Sequence, residues 1–195
     1  GLGHRGAYPL LQRRVLRAMD RAVGYLQAQQ QPDGAFFPLW FGREGAGDEA
    51  NPTYGTSRVL AALATVRGRR RDDVDVMLDA AKRWLIDARN RDGGWGGNHA
   101  MPSSIEETAL AVAALSEYGI ATGHHEEVRV LIAEGCRWIW KATDGGTRFT
   151  PSPIGLYFAK LWYAESLYPI VFSIEALTRA VNVLEASRAT STEAR

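Results

Sequence analysis

The sequence predicts an all-α protein built from repeated helical hairpins in two layers. Three observations predict it. Apolar residues recur at helical spacing through most of the chain, glycines and aromatics gather in short turns between those stretches, and one kind of turn occurs three times. The turns centre on Asp33, Asp92 and Asp144, 59 and 52 residues apart. Periods near 50 residues mark repeat architectures, in which each unit buries its apolar face against its neighbours.

After a lead segment (residues 1–10), Val15, Met19, Val23 and Leu26 step by 4, 4 and 3, which predicts an amphipathic helix from Leu11 to about Gln30 with an Arg-rich outer face. Gln31-Pro32-Asp33-Gly34 ends it as a turn, followed by the aromatic run through Trp40 and Phe41 and a polar glycine loop over 42–50. Asn51-Pro52 reads as an N-cap with proline at N1. The helix that follows, to Val66, is richer in apolar residues and is expected to be an inner one. A basic loop over 67–71 leads to Asp72-Asp73-Val74-Asp75, acids suited to the positive end of a helix dipole. That helix, to about Asn90, is expected to turn Val76, Leu78, Trp84 and Leu85 inward.

The second turn, Asp92-Gly93-Gly94-Trp95-Gly96, precedes Ser104-x-x-Glu107, which fits a capping box: serine accepts from an early N–H and glutamate reaches back. Residues 104–118 are apolar on every face from Ala109 to Leu115, so this helix is expected to be surrounded by protein. A loop over 119–125 joins it to an amphipathic helix over 126–142 carrying Val130, Leu131, Trp138 and Ile139. After Asp144-Gly145-Gly146, Ser152-Pro153 reads as a third N-cap for an apolar helical segment from Ile154 to Glu185, with a kink or break near Tyr168 imposed by Pro169. The repeat domain therefore spans residues 11–185, and the small polar tail over 186–195 is expected to fray.

Composition narrows the function classes. Twenty-three basic residues against 22 acidic ones give no general attraction to nucleic acid. The single cysteine, Cys136, excludes an intramolecular disulfide framework and suits a reducing, cytoplasmic setting. No apolar run reaches the ~18 residues that span a bilayer. Neither the histidines nor Cys136 show metal-ligand spacing, so no metal or other cofactor is expected.

The phrases Leu26-x-x-x-Gln30-x-x-x-Gly34-x-Phe36 and Leu85-x-x-x-Arg89-x-x-x-Gly93-x-Trp95 resemble the QW repeats of triterpene cyclases; the copy at Ile139-x-x-x-Thr143 is degenerate. With Tyr54-Gly55-Thr56, Asp92-Gly93-Gly94-Trp95-Gly96 and the tyrosine-rich segment before Leu167-Tyr168-Pro169, residues 18–185 resemble the C-terminal part of squalene–hopene cyclase. The resemblance implies a terpene cyclase: an isomerase-type, proton-initiated cyclisation of a hydrophobic isoprenoid in a cavity lined by aromatic faces. Three hairpins amount to about half of an (α/α)6 barrel, so a further N-terminal segment or a second copy of the chain is expected to cover the open flank.

By motif position, the resemblance places Trp40, Tyr54, Tyr157, Phe158, Trp162 and Tyr163 as substrate-binding aromatics, with Tyr168 nearby. Phe36 and Trp95 are expected to be structural clamps in the turns. The family's acid motif, Asp-x-Asp-Asp-Thr-Ala, is absent. The one stretch at an equivalent station is Ile105-Glu106-Glu107-Thr108-Ala109, which makes Glu106 and Glu107 the candidate catalytic acids; capping and dipole pairing are the competing account of the same residues. The alternative to an enzyme is a non-catalytic half-barrel that binds isoprenoid or oligomerises. The family also implies peripheral membrane contact, for which the basic loop at 67–71 is the candidate surface.

Overall fold

The computed structural model describes residues 8–45, 49–69, 71–99, 101–156 and 159–193. Among the described residues, six helices run α1 (Pro9–Gln29), α2 (Pro52–Val66), α3 (Arg71–Asp87), α4 (Ile105–Thr122), α5 (His125–Ala142) and α6 (Tyr168–Glu193), with a 3-10 turn at Arg67–Arg69 between α2 and α3. Helices α2, α4 and α6 form an inner layer in which α4 packs between the other two; α3 lies against α2, and α5 against α4 and α6. Burial follows the chemistry of α4, whose residues from Ile105 to Ser116 are all buried. Gly123, in the left-handed conformation at φ 78°, ends it, so the expected loop over 119–125 shrinks to Gly123-His124.

Two of the three turns are built alike, bond for bond. Gly34 and Gly93 adopt φ of 99° and 94°, a region closed to most side chains. The Asp33 and Asp92 carboxylates each accept the N–H two residues on, at 3.0 Å. Beyond the turn, the Phe36 N–H donates to Thr56 Oγ1 and the Trp95 N–H to Thr108 Oγ1, both at 2.9 Å, fixing each turn to its own inner helix. Four residues before each glycine, a side chain reaches the next outer helix: Gln30 donates to the carbonyls of Gly34 and Met77, and Arg89 to the Gly93 carbonyl and the Glu134 carboxylate. Trp95 is fully buried and its indole donates to the Leu85 carbonyl at 2.6 Å; Phe36 is buried as well. The third turn differs. Asp144 itself takes φ of 51°, and its bonds return to Thr143 within the turn.

Several sequence expectations are corrected. The segment after Ser152-Pro153 begins as a strand, not a helix. Strands β1 (Phe41–Arg43), β2 (Pro153–Leu156) and β3 (Leu161–Ala164) form an antiparallel sheet in the order β1-β2-β3, and α6 starts only at Tyr168, with Pro169 in its first turn where no N–H is required. Val76 and Val130 point outward, 71% and 53% exposed. The buried residues are Val74, Met77, Leu78, Ala81, Trp84 and Leu85 on α3, and Val128, Ile132 and Ile139 on α5, so Leu78, Trp84, Leu85 and Ile139 face inward as expected while Val76 and Val130 do not. Val15 is 49% exposed because α1 meets the body only over its C-terminal turns, where Val23 is buried.

Candidate functional site

The N-terminal ends of the inner helices, together with the sheet, gather the aromatics. The Asn51 side chain accepts the Tyr54 N–H at 2.9 Å and so starts α2, while Pro52 at N1 needs no partner. Tyr54 then stacks on Phe41 of β1, with ring centroids 4.9 Å apart. At the start of α6, Tyr168 stacks on Phe172 at 5.3 Å, and its hydroxyl lies near that of Tyr163 of β3. The three tyrosines lie close enough to influence one another. Burial raises the Tyr54 hydroxyl above its usual range, Arg58 draws it back, and Tyr168 adds to the rise. Loss of water also raises Tyr163, helped by Tyr168, Glu165 and Tyr54.

Of the aromatics expected from sequence, the structure therefore brings Tyr54 and Tyr163 together with Tyr168. It separates others. Trp162 pairs across β2 with Gly155 and Tyr163 with Ile154, so pleat alternation sets the two on opposite faces of the hairpin. Ile154 and Gly155 are both buried, and of the two aromatics Trp162 is half-buried while Tyr163 is 42% exposed. Trp40, just before β1, is 55% exposed. Tyr157 and Phe158 lie outside the described residues. Phe41 and Phe172 complete the cluster without having been singled out, since nothing in their local sequence distinguishes them from ordinary packing residues.

Beneath this cluster lies a buried polar knot around the two glutamates. Glu107 is fully buried; its carboxylate accepts from Asn51 Nδ2 at 2.8 Å and from the Ser104 hydroxyl, and Arg43 Nη1 lies 4.0 Å away. Glu106, equally buried, accepts the Ser152 N–H at 2.7 Å through Oε1, while Oε2 has no partner. The capping box is half formed. Ser104 does accept the Glu107 N–H, but the Ser104 N–H goes to the Trp95 carbonyl, which frees the Glu107 side chain to reach Asn51. Burial pushes the Glu107 carboxyl up, Arg43 pulls it back, and the neighbouring Glu106 raises it again. The pair thus fastens the start of β2 and the cap of α2 to the head of α4. Asn51, read from sequence as a cap, also serves as the Glu107 partner; Arg43 carried no sequence signal.

Elsewhere, Arg67 is not a free basic residue: it forms a bidentate pair with Asp75 and donates to the Ala121 carbonyl. The side chains of Arg69 and Arg71, and all of Arg70, lie outside the described residues. Among the described residues, no group of His, Cys, Asp and Glu is placed to hold a metal ion, and no helix is long and apolar enough to cross a membrane.

Residues 9–182 match the model of the squalene–hopene cyclase C-terminal domain. The chain belongs to this terpene cyclase family. It is 39% identical over 108 residues to a squalene–hopene cyclase of Bradyrhizobium diazoefficiens, covering 50% of this chain and 15% of that protein. Similarity extends to an ent-copalyl diphosphate synthase of Streptomyces sp. strain KO-3988, 36% identical over 99 residues (51% of this chain, 17% of the relative). A copalyl diphosphate synthase of Streptomyces cyslabdanicus is 29% identical over 170 residues, covering 87% and 28%. The fold is also that of the ent-copalyl diphosphate synthase from Streptomyces platensis, with a TM-score of 0.58 at 21% identity over 88% of this chain and 29% of that one. This family domain spans less than a third of the length of these relatives.

Proposed function

We propose that the domain forms the aromatic wall of a polyene-cyclisation cavity in a class II terpenoid cyclase, with the proton donor and the rest of the barrel supplied by protein outside residues 1–195. The observation that carries this is the convergence of Phe41, Tyr54, Tyr163, Tyr168 and Phe172 from four separate elements. Rings at such a site stabilise a migrating carbocation through their negative faces, about 0.5–2 kcal/mol each once water is gone. A dry wall also keeps water from quenching the cation. Trp40, Trp162, Tyr157 and Phe158 are the remaining candidates for contact with a hydrophobic isoprenoid chain.

Protonating an alkene needs a strong acid. Glu107 is bound on both carboxylate oxygens and held above its usual range by burial, which favours anchoring over acid catalysis. Glu106 keeps one buried oxygen without a partner, so of the two it is the one this chain would offer were the donor not supplied from outside. A non-catalytic isoprenoid-binding half-barrel is the second reading, favoured by the occupation of Glu107 in the polar knot.

The test is incubation of this chain, alone and with the N-terminal part of a homologous cyclase, with squalene and with shorter polyprenyl substrates, followed by product analysis by mass spectrometry. Cyclic product that falls at least about tenfold in Tyr54→Ala or Tyr168→Ala supports the aromatic wall. No cyclic product in either format excludes the enzyme reading in favour of the second one. Undiminished turnover in both Glu106→Gln and Glu107→Gln eliminates these acids.

A further inference from the structure

A second concave surface lies between the turn after α3 and the last turns of α5, a cleft of about 780 Å³. It brings together Arg89, Arg91, Arg137, Lys141 and Arg148 against only two carboxylates, Asp92 and Glu134. The whole chain carries a net charge of +1, so this cleft concentrates more positive charge than the entire chain has in surplus.

Both carboxylates are already engaged. Glu134 pairs with Arg89 at 2.6 Å. Asp92 accepts from the Gly94 N–H, the Ser103 hydroxyl and the Trp138 indole, at 3.0, 2.8 and 2.9 Å. Among the described residues, Arg91, Arg137, Lys141 and Arg148 have no acidic partner. The negative end of α5 accounts for Lys141, which sits in the last turn. It does not account for Arg91 and Arg148, which lie in the connecting segments, nor for Arg137, more than a turn before the helix end. Like charges gathered in a concave, partly apolar site repel one another and focus a positive field, an arrangement that an anion relieves. Three guanidinium groups favour phosphate in particular, because their paired N–H groups match two of its oxygens at once. Trp138 and Ala142 add apolar lining for the organic part of a ligand.

We propose that this cleft binds a phosphorylated ligand, with Arg91, Arg137, Arg148 and Lys141 holding its phosphate or diphosphate oxygens. The site shares no residue with the aromatic cluster and stands independently of the cyclase reading. A phospholipid headgroup and a soluble phosphorylated molecule present the same chemistry, and the experiment separates them.

Inorganic diphosphate is titrated into the chain by calorimetry, with sulfate at matched ionic strength as reference. Sedimentation with phosphatidylcholine vesicles, with and without phosphatidic acid, forms the second arm. The variants are Arg137→Gln/Arg148→Gln in the cleft and Arg13→Gln/Arg17→Gln on the exposed face of α1, with circular dichroism confirming that both fold. Saturable binding in at least one arm is expected, falling about tenfold or more in the cleft variant, unchanged in the α1 variant, and weakening as salt rises. Diphosphate binding without vesicle association assigns a soluble ligand; association that depends on phosphatidic acid assigns a headgroup. Absence of saturable binding in both arms overturns the proposal, as does equal binding by the wild type and the cleft variant.

Discussion

Gly34 and Gly93 hold the same station in successive turns, and their surroundings separate the effects of conformation and space. A Cβ on Gly34 would lie 2.3 Å from the Ala80 carbonyl oxygen, a backbone atom of the next outer helix. On Gly93 it would meet the end of the Arg89 side chain at 3.0 Å, a flexible group that can give way by a few tenths of an ångström where a backbone carbonyl cannot. Both substitutions carry the penalty of positive φ, about 1–3 kcal/mol, and only the first adds an unavoidable clash. Gly34→Ala is therefore expected to lower the urea midpoint well below that of Gly93→Ala; equal midpoints would contradict the account of the turn. Cys136 allows a test by pH. Burial pushes its thiol up to about 11, with Arg137 acting weakly the other way. Because the thiolate is the nucleophile, alkylation by iodoacetamide is expected to be slow at pH 8 and to climb toward pH 11 while the fold persists. A rate that levels off by about pH 9, where an ordinary thiol has ionised, would sink this assignment. The glycines were legible from sequence as turn signals; the carbonyl that makes one of them stricter was not, since it belongs to another repeat.

At the scale of elements, the threonines of the inner helices join turn to hairpin. Thr108→Val leaves the buried Trp95 N–H without its acceptor, and Thr56→Val does the same to Phe36. Each is expected to cost about 1–3 kcal/mol in chemical denaturation, the penalty of an orphaned buried donor. Thr147→Val in the degenerate third turn removes only an exposed bond to the Asp144 carbonyl and is expected to be near neutral. If all three cost the same, the threonines are not what fixes the turns. The helices were readable because their apolar stripes are long and periodic, and α4 because it is apolar all round. The sheet was not. Residues 153–164 form a short apolar run whose period does not distinguish strand from helix, and the partner β1 comes from the far side of the sequence. The misplaced Val76 and Val130 have the same cause: where several neighbouring residues are apolar, only the packing partner selects among them.

For the whole molecule, the open flank is the dominant feature. Helix α6 leaves Val171, Ile174, Leu177 and Val181 exposed, and a cleft of about 380 Å³ beside Trp140 and Phe149 continues that face. An apolar surface this continuous favours association. The 195-residue chain by itself is expected to self-associate at micromolar concentration, and Val171→Glu/Ile174→Glu to shift it toward monomer in sedimentation velocity. A wild-type chain that stays monomeric across that range would show that the flank is not adhesive. Three hairpins forming part of a barrel were evident from the count of turns, and this face is the physical consequence of that count.

The sequence by itself determined the repeat, the helical class, the family and the two well-formed turns, because each is written in local spacing: glycine where φ must be positive, a cap where a helix begins, an apolar stripe where a core must form. Only the tertiary structure decided which aromatics share a site. Tyr54, Tyr163 and Tyr168 come near one another because a small sheet brings β3 to the heads of α2 and α6, and pleat alternation sets Trp162 on the other face of the hairpin. It likewise showed Glu106 and Glu107 as anchors for β2 and α2, since their partners Ser152 and Asn51 are remote in sequence and adjacent only after folding. Local chemistry sets what each segment becomes; contacts between distant segments set what the assembled surface does.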